Sequence, residues 1–183
     1  MASLFSHLII GATGSKVIQT RKALQVDAKL FILAMLSSAL PDIDVLAFDL
    51  GIPYEHWLGH RGLSHSFVFA FCWALLISVV FYRGEMRKSW STWLFCLVFF
   101  FVVTASHGII DAMTNGGRGV GFFIPFSNER CFLPFRPIQV SPLGVDNFFS
   151  EWGMKVVMSE LVWIGLPCFL IWTLASYNKV NHQ

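Results

Sequence analysis

The sequence predicts an all-α fold, a polytopic membrane bundle of about five helices with a long extracytoplasmic loop. Composition is the first reason. Of 183 residues, 55% are hydrophobic and only 13% charged, with a mean hydropathy of +0.62. Soluble domains carry about 25% charged residues. The second reason is that apolar residues fall in runs, several near the roughly 20 residues a helix needs to cross a bilayer. The third is the 19 Phe and 7 Trp, since Trp favours membrane interfaces. The length suits a single membrane-embedded domain over residues 1–183. A net charge of +2 without a basic tract argues against nucleic acid as a partner.

The first segment, residues 3–18, is mildly apolar and carries His7, Gly11 and Gly14. It is short for a hydrocarbon core of about 30 Å and reads as a helix packed closely through its small residues. The opening residues have no basic region, so no cleaved signal peptide is expected. A basic connection, 16–29, leads to a second apolar run, 28–40, where Pro41 is expected to turn the chain. Residues 49–58 read as a loop. The third helix is expected over 63–82, with Ser64 as a candidate cap, followed by a basic turn, 83–88. The fourth runs over 90–111. Residues 114–149 form a Gly/Pro/Phe-rich loop of a length uncommon unless functional. The fifth helix is expected over 151–175 with a kink at Pro167, before a polar tail, 176–183. Cys72, Cys96 and Cys168 lie in apolar runs, and Cys131 in the loop. No CxxC pair suggests a disulfide framework or zinc ribbon.

Charge gives an orientation. The connections 16–29 and 83–88 plus the tail hold eight of the 13 Lys and Arg residues but only Asp27 and Glu85 among the acids. The positive-inside rule places that side in the cytoplasm, with the N-terminus out and the C-terminus in. His7, Asp42, Asp44, His60, His65, His107 and Asp111 then all fall on the outer side. A four-helix arrangement with the first segment on the cytoplasmic face would separate His7 from the rest.

These seven residues are candidate metal ligands. Asp42 and Asp44 are two apart at a turn, where both carboxylates can converge on one cation. His107 and Asp111 are spaced i, i+4 and share a helix face. Ionisable groups near the end of a span are costly unless paired or wet. His60 and His65 flank Arg61 and Ser64, with His60 expected in the loop and His65 in the first helical turn. Seven groups exceed one tetrahedral site, so two ions sharing a carboxylate are plausible. The mixed N/O set without thiolate favours Zn or Mn, with Fe next, and one or two of the seven can be supporting partners instead. Each signal also has a plainer reading: capped helix ends, solvated acids, or an interhelical His–Asp hydrogen bond.

Arg61, Arg118, Arg130 and Arg136 fall on the same side and suit a phosphate or carboxylate, or merely lipid headgroups. Glu160, inside the fifth helix, is either a general base or ligand, or the partner in an interhelical hydrogen bond. Asn115-Gly116-Gly117 can turn tightly and bring backbone N–H groups to a substrate, or be only a turn.

The ordered set His7, Pro41-Asp42-Ile43-Asp44, Gly59-His60-Arg61-Gly62-Leu63-Ser64-His65 and Ser106-His107 through Asp111 to Asn115-Gly116-Gly117 resembles the bacterial inner-membrane metal-dependent hydrolases, the LexA-binding, inner-membrane-associated hydrolase family. The stretch 125–142 is similar to the loop of one branch. The resemblance implies a several-helix inner-membrane protein with a metal-dependent hydrolase site. It also implies a regulatory link to LexA, for which no residue here shows a contact.

The favoured expectation is a hydrolase acting on an ester or phosphoester of a lipid or lipid-linked molecule at the outer face of the inner membrane. His7, Asp42, Asp44, His65, His107 and Asp111 would hold one or two divalent ions, and His60 would be a ligand or acid/base group. Arg61 would stabilise developing negative charge, while Arg118, Arg130, Arg136 and Asn115 would meet substrate. The alternative is a non-catalytic scaffold or regulator with a structural metal. A transporter is disfavoured because the ionisable groups gather at one face and not through the midplane.

Overall fold

The computed structural model describes residues 1–19, 27–142 and 149–181. Arg21 and Lys22 of the basic connection, part of the long loop, and His182 lie outside the described residues. Among the described residues the chain is helical, with only isolated bridges Thr114–Ile138 and Val120–Cys131 in place of strands. Four helices are long and apolar enough to cross a membrane, and a fifth is shorter.

The shorter one is α1, Leu4–Gln19. Its 16 residues rise about 24 Å, less than a bilayer core. Helix α2, Ala28–Ala39, starts at Asp27, whose carboxylate accepts from the Leu30 N–H at 2.9 Å. Pro41 does not turn the chain as expected. The helical path tightens into a 3-10 segment, Leu40–Val45, and continues as α3, Leu46–Asp49. Pro41 sits in the first turn of the tightened segment, where its missing N–H has little to lose. The path Ala28–Asp49 is therefore one apolar stretch of 22 residues.

A separate 3-10 turn, Leu63–His65, precedes α4, Phe67–Lys88. The helix thus begins later than expected, and its cap is Ser66, whose Oγ accepts from the Phe69 N–H at 3.1 Å. It also runs through the basic stretch expected as a turn, with a kink at Tyr82, where φ is −124°. Ser89 ends α4 and caps α5, Trp90–Ala112, accepting from the Thr92 N–H at 3.3 Å. Helix α6, Glu151–Glu160, passes through a π turn, Leu161–Gly165, into α7, Leu166–Asn181. The irregularity expected from Pro167 is this turn. The proline lacks an N–H and its ring crowds the carbonyl of Trp163, so the regular ladder opens there.

Ile18, Leu30, Ile77, Trp93 and Phe100 form the main core between α1, α2, α4 and α5. Phe71, Leu76 and Val80 on α4, and Phe169, Leu170 and Leu174 on α7, remain exposed. Such apolar outer faces suit lipid tails, which are as apolar as leucine. The long loop is anchored back onto α5 and the His60 turn. Leu133 N–H donates to Ala112 O at 3.0 Å, Gly121 N–H to Arg61 O at 2.9 Å, and Phe67 N–H to Phe122 O at 3.0 Å.

Candidate metal centre

Four elements bring the candidate ligands together: α1, the 3-10 segment after α2, the 3-10 turn before α4, and the last turns of α5. In the 3-10 segment, Asp42 and Asp44 both reach the same neighbourhood. Gly108 on α5 makes room for the His65 turn, since a Cβ there would lie 2.9 Å from the His65 carbonyl oxygen. His107 and Asp111 share the buried face of α5, as their spacing requires.

Asp42, His65, His107 and Asp111 can each offer a ligand atom, all within 4.8 Å of one another. His65 Nε2 lies 3.1 Å from His107 Nε2, and 3.7 Å from Asp42 Oδ1 and 3.5 Å from Asp111 Oδ2. His107 Nε2 lies 3.2 Å from Asp42 Oδ1. Ligands bound at about 2.0–2.1 Å around a tetrahedral zinc stand about 3.3 Å apart, so these edges bracket that value. The remaining ring nitrogens are fixed from outside. His107 Nδ1 lies 2.7 Å from the Ser38 carbonyl, to which it can only donate. His65 Nδ1 lies 3.0 Å from Asp44 Oδ2. Both contacts turn Nε2 inward, the pattern of metal-binding imidazoles supported by carbonyl and carboxylate partners.

Both oxygens of Asp42, Asp111 Oδ2, and both ring nitrogens of His7 are buried without a hydrogen-bond partner. Buried polar groups are normally satisfied, and a cation would satisfy the Asp42 and Asp111 oxygens, whereas His7 belongs to neither potential ligand group. His7 stacks on His107 at 3.6 Å between centroids and its Nε2 lies 3.5 Å from Asp111 Oδ1. The donor set and its orphaned atoms fit a divalent cation.

Asp44 behaves differently from Asp42. Its Oδ2 accepts from the Arg61 N–H at 2.9 Å and the Ser64 hydroxyl at 2.6 Å, and its Oδ1 lies 2.6 Å from His60 Nδ1. Asp42, Asp44 and His60 form a second group of potential ligands. The 2.6 Å Asp44–His60 contact is a hydrogen bond, and a shared ion would open it by roughly 0.7 Å. As it stands, Asp44 orients His60 and His65, and Ser64 serves Asp44 instead of capping α4. At His65, burial lowers the pKa, but the Asp44 carboxylate and the neighbouring Asp111 and Asp42 carboxylates outweigh it and raise the pKa well above the usual imidazole range.

Arg61 lies behind the cluster. It is fully buried, with Nη1 donating to Gly116 O and Nη2 to Thr114 Oγ1, each at 3.0 Å. Its Nε is 3.1 Å from Asp111 Oδ2, close enough for an ion pair but misaligned for a hydrogen bond. The guanidinium expected to face a substrate instead positions Asp111. Gly117 permits this, because a Cβ there would lie 2.7 Å from Arg61 Nη1.

The other expected substrate contacts are engaged elsewhere. Arg130 donates to the carbonyls of His60 at 2.7 Å, Tyr54 at 2.9 Å and His56 at 3.1 Å, so it holds the shape of the His60 loop. Arg118 is exposed, pairs with Glu55, and lies over the Tyr54 ring. Arg136 lies over the Phe132 ring. Asn115 bridges Gln139 and the Val140 N–H. Glu160 accepts from the backbone N–H and hydroxyl of Ser3, which ties α6 to the start of α1. That matches the interhelical alternative for this residue. Ser38, Thr114 and Tyr54 join the site without a sequence signal, since a carbonyl, a hydroxyl behind an arginine and a cavity wall have no spacing pattern.

Two cavities reach the centre. One, of about 410 Å³, is bounded by Tyr54, His60, Gly117, Ser141 and Trp152. The other, of about 480 Å³, ends at Asp42.

The comparisons agree with a membrane assignment. The family model described as YdjM inner membrane protein matches residues 1–182. The inner membrane protein YbcI of Escherichia coli (strain K12) is 37% identical over 179 residues, covering 93% of this chain and 95% of that protein. No solved structure matches the chain. With its spanning-length helices and a match over nearly its whole length, the chain belongs to the YdjM inner membrane protein family.

Proposed function

We propose that this chain is a metal-dependent hydrolase of the inner membrane, cleaving an ester or phosphoester of a lipid or lipid-linked molecule at the outer face, with its N-terminus out and C-terminus in. The observation that supports it is a cation-sized set of buried imidazoles and carboxylates, with the Asp42 oxygens and Asp111 Oδ2 lacking a hydrogen-bond partner, lying beside His60 at a cavity wall. Asp42, His65, His107 and Asp111 would hold one ion, with His7 adjoining. Asp42, Asp44 and His60 are a second potential ligand group, but an ion there would replace the Asp44–His60 hydrogen bond. Zn and Mn suit the donors. A bound divalent cation supplies polarisation of the ester or phosphoryl oxygen and a lowered pKa for water.

The chain's own residues would then do the following. Asp44, 2.6 Å from His60 Nδ1, holds His60 as the proton carrier at the cavity. As water oxygen bonds to phosphorus or the ester carbon, the bond to the leaving alcohol breaks. His60 takes the proton that the water loses and passes it to that alcohol oxygen. Arg61 keeps Asp111 oriented and offsets its charge.

One observation favours a second reading, a scaffold or regulator with a structural metal. Four protein ligands can complete a tetrahedral shell with no open position, as structural sites do. Metal-dependent turnover separates the two. Detergent-purified protein is assayed on phosphatidic acid and on a carboxylic ester lipid, with and without chelator, and as Asp44→Ala. Cation-dependent hydrolysis lost in Asp44→Ala supports the hydrolase. Bound metal that stabilises the fold with no turnover on either substrate supports the scaffold.

A further inference from the structure

The cavity ending at Asp42 differs in kind from the one at His60. Its walls are Leu4 of α1, Leu36 and Ala39 of α2, Leu40 and Ile43 of the 3-10 segment, and Trp73 of α4. The Trp73 indole N–H already donates to Ser37 Oγ at 3.0 Å, so the ring has only apolar contact left to offer. Asp42 is the charged side chain of the groove, and both its oxygens lack a hydrogen-bond partner. Two of the three helices bordering the groove are long and apolar enough to span a membrane. The molecules beside it are then bilayer lipids, and a groove of about 480 Å³ is in the size range of ligand sites.

We infer that this groove takes the hydrocarbon chain of a bilayer amphiphile and brings its phosphate-ester headgroup to the cation that Asp42 and the cluster behind it would hold. The inference rests on the hydrolase reading and names the route and orientation of its substrate. Lipid tails are as apolar as the groove, so moving a chain from bilayer to groove gains little free energy by itself. The groove aligns the molecule and the headgroup carries the affinity, a division that favours reaction through orientation. Water and the released polar fragment use the other cavity, at Tyr54 and His60, with Met1 lining both. Leu36, Ala39 and Trp73 become specificity-determining positions for the chain.

The test is photolabelling of the full chain in phosphatidylcholine vesicles doped with phosphatidic acid bearing a diazirine in its acyl chain, with labelled residues mapped by mass spectrometry. Labelling should concentrate on residues 36–43 and Trp73 relative to other lipid-facing positions such as Val80 and Leu170. Ala39→Trp, which fills the groove, should reduce that labelling about tenfold, equivalent to about 1.4 kcal/mol of preference. Leu36→Trp, at a half-exposed position, should do the same if Ala39→Trp fails to fold. Even labelling over all outward faces, or groove labelling unchanged by a folded variant, overturns the inference. Failure of the two proposals is distinguishable. Groove labelling without metal-dependent turnover removes the hydrolase and leaves the groove. Turnover of a soluble dibutyryl phosphatidic acid as fast as of the long-chain lipid, without groove labelling, removes the groove and leaves the hydrolase.

Discussion

Replacing Arg61 with Ala or Gly should destabilise the protein by different amounts, in an order opposite to side-chain size. The guanidinium is fully buried and lies 3.1 Å from Asp111 Oδ2, with further contacts to Gly116 O and Thr114 Oγ1. Removing it takes the guanidinium from a buried carboxylate that keeps protonated His65 at 3.5 Å, so the loss should fall at or below the about 3–5 kcal/mol of a buried ion pair broken outright. A second effect has the opposite sign. Arg61 has a φ of +60°, a left-handed conformation that costs an L-residue about 1–2 kcal/mol and glycine almost nothing. Arg61→Gly should therefore be about 1 kcal/mol more stable than Arg61→Ala, roughly fivefold in the folding equilibrium. Arg61→Lys keeps the charge but loses the planar fork and should fall between wild type and Ala. The assay is unfolding of detergent-solubilised protein by titrated denaturing surfactant, in chelator so that no metal ion compensates Asp111. With metal restored, the Ala penalty should shrink, because the ion then neutralises the carboxylate. Losses below about 1 kcal/mol for both variants would refute the buried counter-ion. Ala as stable as Gly would refute the backbone argument.

Three further outcomes follow from the centre. Asp42→Ala should abolish bound divalent metal by elemental analysis, because Asp42 belongs to both ligand groups, whereas the exposed His56→Ala should retain it. Metal uptake should release protons near neutral pH. The Asp44 carboxylate and its neighbours outweigh burial and keep apo His65 protonated well above the usual range, and a ligand must lose its proton to bind. Affinity should then rise with pH until that raised pKa is passed, and calorimetry in buffers of different ionisation enthalpy reads the proton count. An absence of proton release would contradict a protonated His65. Glu160→Gln should lower stability by about 1–3 kcal/mol, since the buried carboxylate loses its charge-assisted bonds to Ser3. Metal content should persist, and its loss would place Glu160 in the centre after all.

Local chemistry settled much of this protein. Apolar runs of bilayer length fix where helices lie, because backbone polar groups inside lipid must be satisfied within each segment. The i, i+4 spacing of His107 and Asp111 fixes a shared face, and the short Asp42–Asp44 interval fixes a common neighbourhood for two carboxylates. The tertiary structure decided which of these groups are ligands in waiting and which are supports. Asp42 and Asp44 look alike in sequence, yet one has both oxygens orphaned and the other is engaged by Arg61 N–H, Ser64 and His60. Arg61 looks like a substrate contact and is a buried counter-ion, while Arg130 braces the carbonyls of the His60 loop. The physical reason is that a side chain's role depends on the partners already around it. Those partners come from residues as distant as Ser38 and Thr114, through packing that no local pattern encodes.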